Sequence, residues 1–577
     1  MCGIALVLGP GAGEQDATFE AMLGAVAARG ERIETRRAPE ALLGTARLCI
    51  VDREHALQPW ASADGRWTIN LNGEVFNHAE LRAELGPTRT LGDTEVALEA
   101  VLAWGEDGLR RLRGEFAMAV VETSTRRVFL ARDPVGVKPL YWARHDGRLH
   151  VASEIKALVG LGVAVHEVPP GHCGWAEPAT DPELHPYLDL YRLGESRPPI
   201  LDVEEAAAAL RATFTDAVAC RVDTDLRVGV VLSGGLDSSL TLTQVHALHP
   251  DCVAFTVGTE GSEDVAYARR LCSDLGVEHV VVPVRSASIG LREVREAVRV
   301  SELTEYGDII NAVVSRRLFA AVHAAGVKVV LTGDGSDELF GGYDMYRRIG
   351  DDDVRRLFLH KLRYLSHTEL QRVDRTSMSH RVEARVPFLD PAMLELAMRL
   401  PRELKIRDGY EKWILRHAFA DVLPEYILAR HKNPMSHSSG LHERVRLFRP
   451  LFRRFYREAG YECFAPLQRD FSEVLRDHGF DLDAAVAAAR PARDLTVAEH
   501  ARDLAGALRW NLAHAVRRPR SALVRPARHV EVTAGRIAAW SPPTSRRVPS
   551  GGATSRAPST TAGSRTTARG RPSSTGG

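Results

Sequence analysis

The stretch Val228-Gly229-Val230-Val231-Leu232-Ser233-Gly234-Gly235-Leu236-Asp237-Ser238-Ser239 restricts this chain more than any other. Val228 to Leu232 have the small, apolar composition of a buried parallel strand. Ser233 to Ser239 make a tight turn of small residues, and Leu240 to Leu248 continue as a helix. Strand, glycine turn and helix N-terminus in that order form a cradle for phosphate. Gly234 and Gly235 let backbone N–H groups approach an anion, Ser233, Ser238 and Ser239 add hydroxyl donors, and the helix end adds partial positive charge. Asp237 is a carboxylate inside an anion site, which makes sense when a hard cation such as Mg²⁺ lies between it and the phosphates. The lysine of the GxxxxGK[ST] loop is missing, so this is a different cradle.

A chain of 577 residues is too long for one core, and two or three domains are expected. Lys+Arg 75 against Asp+Glu 75 leaves no net charge, which argues against a general nucleic-acid or membrane-surface binder. No apolar run approaches the roughly 18 residues of a membrane span, and Met1-Cys2-Gly3 enters a strand pattern without the basic start of a secretory signal. The seven cysteines are scattered without a CxxC pair. That usage suits a reducing, cytoplasmic setting with neither a disulfide framework nor a zinc site.

In the amino-terminal half, Ile4 to Leu8 reads as a strand and Thr18 to Ala28 as a helix. Removal of the methionine before a small residue would leave Cys2 with a free α-amine beside its thiol, nucleophile and base in one residue. Arg47 opens a strand through Leu48-Cys49-Ile50-Val51-Asp52 and offers a guanidinium for a carboxylate. A strand from Trp67 to Leu71 runs into Asn72-Gly73-Glu74, where a side-chain amide and a glycine N–H together supply oxyanion-hole donors. Asp93, after Gly92, either caps a helix or holds a ligand ammonium.

From Val168 to Pro199, prolines and mixed polar residues interrupt the pattern and place a boundary near residue 200. An amphipathic helix over 203–222 follows. Strands at Val228 to Leu232, Cys252 to Val257, Val277 to Pro283 and Val327 to Leu331 then alternate with helices, the order of an open, doubly wound parallel sheet. The last strand delivers Thr332-Gly333-Asp334-Gly335-Ser336-Asp337-Glu338 to the same carboxyl edge as the phosphate turn. Three carboxylates in five residues are costly in a core, and Asp337 completes a cation site with Asp237. Lys432 offers an ammonium for charge building on an α-phosphate. Beyond about residue 519, Ser, Thr, Pro, Gly and Arg dominate, a composition that reads as a disordered tail.

SGGLDSS resembles the pyrophosphate loop of ATP pyrophosphatases. Cys2, Arg47, Asn72-Gly73-Glu74 and Asp93, with Gly114-Glu115-Phe116-Ala117-Met118 and Arg132-Asp133-Pro134-Val135-Gly136, resemble the class II, N-terminal-nucleophile glutamine amidotransferases. Together they are similar to the asparagine synthetase B family. The resemblance implies an Ntn-hydrolase αββα sandwich over 1–200, an ATP-pyrophosphatase (HUP-like) domain over 201–518 and the tail over 519–577. It implies that Cys2 attacks glutamine, with Asn72 and Gly73 holding the oxyanion and Arg47, Leu48, Cys49, Ile50, Val51, Glu74 and Asp93 binding the amino-acid end. It further implies that Leu232, Val257 and Thr332-Gly333 surround the nucleotide and that Asp334, often Glu in the family, helps form an acyl-adenylate. The expected cofactors are ATP and Mg²⁺. Aspartate is the expected acceptor, with another carboxylic acid of a biosynthetic pathway as the alternative and a degenerate scaffold as a third reading. A homodimer is anticipated. Ala28-Arg29-Gly30-Glu31-Arg32 stands where the family usually has His-Arg-Gly-Pro-Asp, and Thr45-Ala46-Arg47-Leu48 where it commonly has His-Arg-Arg-Leu. Both departures are expected to loosen a lid or its link to the second domain.

Overall fold

The strands Cys2–Leu8 and Ala41–Arg47 are buried along their whole length, because each is covered on both faces. In the computed structural model, which describes residues 1–489 apart from 15, 39, 191, 196, 260, 408, 433–441 and 478, twelve strands precede residue 200. They are β1 (Cys2–Leu8), β2 (Arg32–Ala38), β3 (Ala41–Arg47), β4 (Trp60–Ala61), β5 (Trp67–Val75), β6 (Gly114–Glu122), β7 (Arg127–Arg132), β8 (Tyr141–His145), β9 (Arg148–Ala152), β10 (His166–Glu167), β11 (His172–Ala176) and β12 (Glu183–Pro186). They form two antiparallel sheets, ordered β10-β8-β9-β1-β3-β2 and β12-β11-β7-β6-β5-β4. Ile4, Leu6 and Leu43 of one inner face meet Ala117, Ala119 and Leu130 of the other.

Outside, α1 (Asp16–Val26) packs Phe19 and Leu23 on Ala5 and Val7. On the second sheet α2 (His78–Leu85), α3 (Asp93–Trp104) and α4 (Glu106–Arg111) bring Leu81, Val96, Ala100 and Leu109 against Ile69, Leu71 and Phe116. The layers run helix, sheet, sheet, helix, as the resemblance implied.

Several local readings shift. The first strand begins at Cys2 instead of Ile4, and β3 ends at Arg47, so Leu48 to Asp52 follow the strand instead of forming it. β5 continues to Val75 and carries Asn72, Gly73 and Glu74 inside the sheet, paired with Ala117, Phe116 and Glu115. The proline-rich stretch after residue 168 is also built in, since β11 pairs with β7. Inter-strand pairing overrode turn composition there.

The second half holds α5 (Val203–Val222), β13 (Val228–Val231), α6 (Leu236–Leu248), β14 (Cys252–Gly258), α7 (Glu263–Leu275), β15 (Glu278–Pro283), α8 (Leu291–Ser301), α9 (Tyr306–Ala324), β16 (Val329–Leu331), α10 (Ser336–Phe340) and β17 (Glu383–Arg385). The sheet is parallel throughout, in the order β15-β14-β13-β16-β17. Phe214 and Leu240 cover one face at Val228 and Val230, and Leu318 and Val322 cover the other at Phe255 and Val330. The chain leaves β13 toward β14 and returns on its other side at β16. The loops after these neighbouring strands therefore open a crevice at their carboxyl ends.

Helix α6 starts at Leu236, four residues earlier than the sequence pattern suggests, and Gly235 is its N-cap. Asp237, Ser238 and Ser239 thus lie in its first turn. All described residues fall within one compact unit. Among them no helix is long and apolar enough to cross a membrane. The tail expected over 519–577 lies outside the described residues.

Candidate active sites

Cys2 opens β1 opposite Arg47 of β3. Burial pushes its thiol up, so the nucleophile needs a base. In this structure Met1 precedes it, and the Met1 ammonium meets Glu383 Oε2 at 2.9 Å. The Cys2 N–H donates to Asn72 Oδ1 at 3.1 Å, and Arg29 Nη2 donates to the same oxygen at 3.4 Å. That fixes the carboxamide with Nδ2 turned away, buried and without a hydrogen-bond partner. An unspent buried donor beside a thiol is what an oxyanion requires. Gly73 follows where β5 runs tight on β6; a Cβ there would lie 2.2 Å from the Glu115 carbonyl oxygen.

Arg47 is buried, with Nε on Glu34 Oε1 at 3.1 Å and Nη2 on the Arg53 carbonyl at 3.1 Å. Leu48, Cys49 and Ile50 continue buried and Val51 half-buried, and the Leu48 N–H donates to the Met1 carbonyl at 3.1 Å. Asp93 does not cap α3. Gly92 is the N-cap, and Asp93 Oδ2 accepts the Val75 N–H at 3.0 Å, tying the end of β5 to the helix. Burial, with Asp93 and Glu383 nearby, raises the Glu74 carboxyl well above its usual range, and burial raises Asp93.

The second site lies in the crevice. Gly234 takes φ +70°, and a Cβ there would fall 2.8 Å from that of Tyr267, so the turn needs glycine. The Ser233 N–H donates to Ser238 Oγ at 3.1 Å. Ser239 Oγ is buried without a partner. Leu232 and Thr332 are buried, Val257 at the end of β14 is half-buried, and Gly333 packs on Asp237, its virtual Cβ 3.0 Å from the Asp237 Cβ.

Asp237 and Asp337, 100 positions apart in the chain, converge on one ammonium. Lys412 Nζ lies 2.5 Å from Asp237 Oδ2 and 2.6 Å from Asp337 Oδ1, and Lys432 Nζ reaches Asp337 Oδ1 at 2.5 Å. Burial would raise the Asp337 carboxyl, but the two lysines hold it well below the usual carboxylate range. The same carboxylates keep buried Lys412 above its ordinary value. Asp334 answers to a different cation: its Oδ1 accepts from Arg372 Nη2 at 3.1 Å.

In sequence, the glutamine amidotransferase domain matches residues 1–170 and the asparagine synthase domain residues 209–351 and 349–475. Asparagine synthetase B (glutamine-hydrolyzing) of Escherichia coli (strain K12) is 32% identical over 423 residues, 69% of this chain and 75% of that protein. This chain belongs to the glutamine-hydrolysing asparagine synthetase family. The asparagine synthetase (glutamine-hydrolyzing) of Sandersonia aurantiaca is 32% identical over 433 residues, 68% of this chain and 78% of that protein. Asparagine synthetase 2 (glutamine-hydrolyzing) of Oryza sativa subsp. japonica is 33% identical over 420 residues, 68% and 69% respectively. As a member of this family the chain is a carbon–nitrogen ligase that couples glutamine hydrolysis and ATP cleavage to amide formation.

Against the family pattern, three features escaped the sequence reading. Arg29, within the altered Ala28-Arg29-Gly30 segment, is buried and donates from Nε to the Cys2 carbonyl at 2.9 Å. Its Nη1 meets Glu154 at 2.7 Å and Asp374 of the second half at 2.8 Å. One link between the halves runs through this arginine, although Ala28, Glu31 and Arg32 around it depart from the family. Gln58 places Nε2 3.7 Å from the Cys2 sulfur and 2.9 Å from Thr94 Oγ1. Lys412 is buried at the centre of the second site. Gln58-Pro59 read alone is only a turn, and long-range ion pairs leave no local pattern.

Proposed function

We propose that this enzyme amidates aspartate, with ammonia released from glutamine at Cys2. The names of the relatives and the two family matches support that acceptor. With Met1 removed, the α-amine of Cys2 takes the thiol proton and sulfur attacks the glutamine side-chain carbonyl. Asn72 Nδ2 and the Gly73 N–H hold the oxyanion, and Arg47, Glu74 and Asp93 bind the amino-acid end, with the backbone from Leu48 to Val51 beneath it. Met1 occupies an apolar seat between Leu48 and Ile50 of the first half and Val329 and Met378 of the second. Its removal opens that seat between the two sites, which suits the passage of ammonia.

In the second half, Ser233, Gly234, Gly235, Ser238 and Ser239 cradle the phosphates, and Leu232, Val257, Thr332 and Gly333 border the nucleoside. The acceptor carboxylate attacks the α-phosphate and pyrophosphate leaves. Ammonia then attacks the acyl carbon, loses a proton and displaces AMP. Lys412 and Lys432 balance charge on the phosphates, and Asp334 stands toward the acyl group. Mg²⁺ fits the donor set: the two hard carboxylates Asp237 and Asp337, which converge on the Lys412 ammonium, would hold such an ion, and it would supply charge neutralisation for the pyrophosphate.

We read residues 1–200 and 201–518 as the two functional domains, in a cytoplasmic homodimer without nucleic-acid or membrane partners. The alternative, another carboxylic acid as acceptor, draws on the altered segment at Ala28 to Arg32. The observation that carries the main reading is the pairing of buried Cys2 and the unspent Asn72 donor with the Asp237-Lys412-Asp337-Lys432 knot. Pyrophosphate release is the assay, with ATP and glutamine against aspartate and a panel of carboxylates. Aspartate should stimulate release most; a stronger response to another acid would overturn this acceptor. Cys2→Ala should abolish glutamine use yet keep synthesis from ammonium salts.

A further inference from the structure

We propose that Glu106, Cys173 and His185 form a zinc site on the flank of the first half, clipping edge strand β12 to helix α4. The three residues come from three elements. Cys173 and His185 are direct partners across β11 and β12, so their side chains leave the same face of the sheet. Glu106 is the first residue of α4, which lies against that face through Leu109, in the same buried cluster as Cys173.

Two donors converge on one edge of the imidazole. Cys173 Sγ lies 3.9 Å and Glu106 Oε1 2.7 Å from His185 Nε2, and all three ligand atoms fall within 4.8 Å of one another. With Zn–S of about 2.3 Å and Zn–N of about 2.1 Å, a tetrahedral ion spaces sulfur from nitrogen by about 3.6 Å, and nitrogen from oxygen by about 3.4 Å. The sulfur is nearly in place, and the half-exposed Glu106 side chain need retreat by under an ångström.

Thiolate, imidazole and carboxylate together suit zinc and not the oxygen-seeking Mg²⁺ or Ca²⁺. One thiolate and one carboxylate cancel the two charges of the ion. A dication bound there displaces the Cys173 thiol proton. The His185 and Glu106 side chains are 50% and 41% exposed, which gives an ion an entry path and leaves a fourth position for water. β12 has only four residues and β11 as its one neighbour in the sheet. A metal clip there holds the edge to α4. This site stands apart from the glutamine and ATP sites and does not depend on the acceptor.

The test uses the metal-stripped full-length protein, titrated with Zn²⁺ under saturating Mg²⁺. One equivalent should bind and raise Tm, and His185→Gln and Glu106→Gln should each weaken uptake at least tenfold. Both variants should keep the metal-free Tm and ammonia-dependent synthesis. Co²⁺ in place of zinc should show a thiolate-to-metal absorption band in the wild type that His185→Gln and Cys173→Ser lose. Because Cys173 is buried, the two surface variants decide the matter even if Cys173→Ser folds poorly. Absence of zinc uptake, equal uptake by both surface variants, or a cobalt spectrum without the thiolate band would overturn the site.

Discussion

Gln58 has its amide orientation set by its neighbours. The Leu71 N–H donates to Oε1 at 2.9 Å, so the NH₂ group must face Thr94 and the Cys2 sulfur. A donor on sulfur favours the thiolate. Gln58→Leu should lower glutaminase kcat/KM by about tenfold or more, shift the pH profile of Cys2 alkylation upward and leave ammonia-dependent synthesis unchanged; an unmoved profile would assign Gln58 to packing alone. At the other site, Asp334 and Asp337 lie three positions apart but pair with different cations. Asp337→Asn should weaken ATP binding and pyrophosphate release together. Asp334→Asn should still bind ATP but release pyrophosphate about a hundredfold more slowly. A binding titration beside single-turnover pyrophosphate release separates the two, and near-normal release by Asp334→Asn would make that residue structural.

The helix Glu369–Met378 carries contacts to both sites within a single turn. Arg372 holds Asp334, and Asp374 holds Arg29, which reaches the Cys2 carbonyl and Asn72. Asp374 also pairs with Arg375 Nη1 at 2.9 Å. Asp374→Asn leaves two buried guanidinium groups short of a counter-charge, a change of the kind that costs about 3–5 kcal/mol. Tm should fall by several degrees, and glutamine-dependent synthesis should fall more than ammonia-dependent synthesis. Equal losses in the two activities would show that the helix supports the fold without aligning the glutamine site.

Across the whole molecule, Glu167 of the first half pairs with His367 of the second at 2.9 Å and with Arg132 at 3.1 Å. Burial would raise this carboxyl, but His367 and then Arg132 bring it down to about 2, from an ordinary 4.5. A folded value below the unfolded one means stability that is fully present above about pH 4.5 and lost as pH falls toward 2. The expected contribution is at most about 3 kcal/mol. Glu167→Gln should therefore unfold at lower urea than wild type at pH 7, and the gap should shrink steadily between pH 4.5 and 2. A gap independent of pH would assign the effect to packing.

Much of the architecture was legible from local chemistry. The parallel sheet followed from strands alternating with helices, and the phosphate turn from Ser233 to Ser239, because backbone periodicity and turn residues act over a few positions. Cys2, Asn72, Asp237 and Asp337 could be picked out by residue type and neighbours. The ends of elements could not: α6 starts at Leu236 because Gly235 caps it, and β5 swallows Asn72 to Glu74 because β6 pairs with them. Tertiary structure alone decided which charge met which. Arg29 on Asp374, Lys412 between Asp237 and Asp337, Gln58 on Cys2 and Cys173 beside His185 join residues distant in sequence or on separate strands. Buried charges and donors take whatever partner packing brings within reach, and that distance is set by the assembled sheets and not by spacing along the chain.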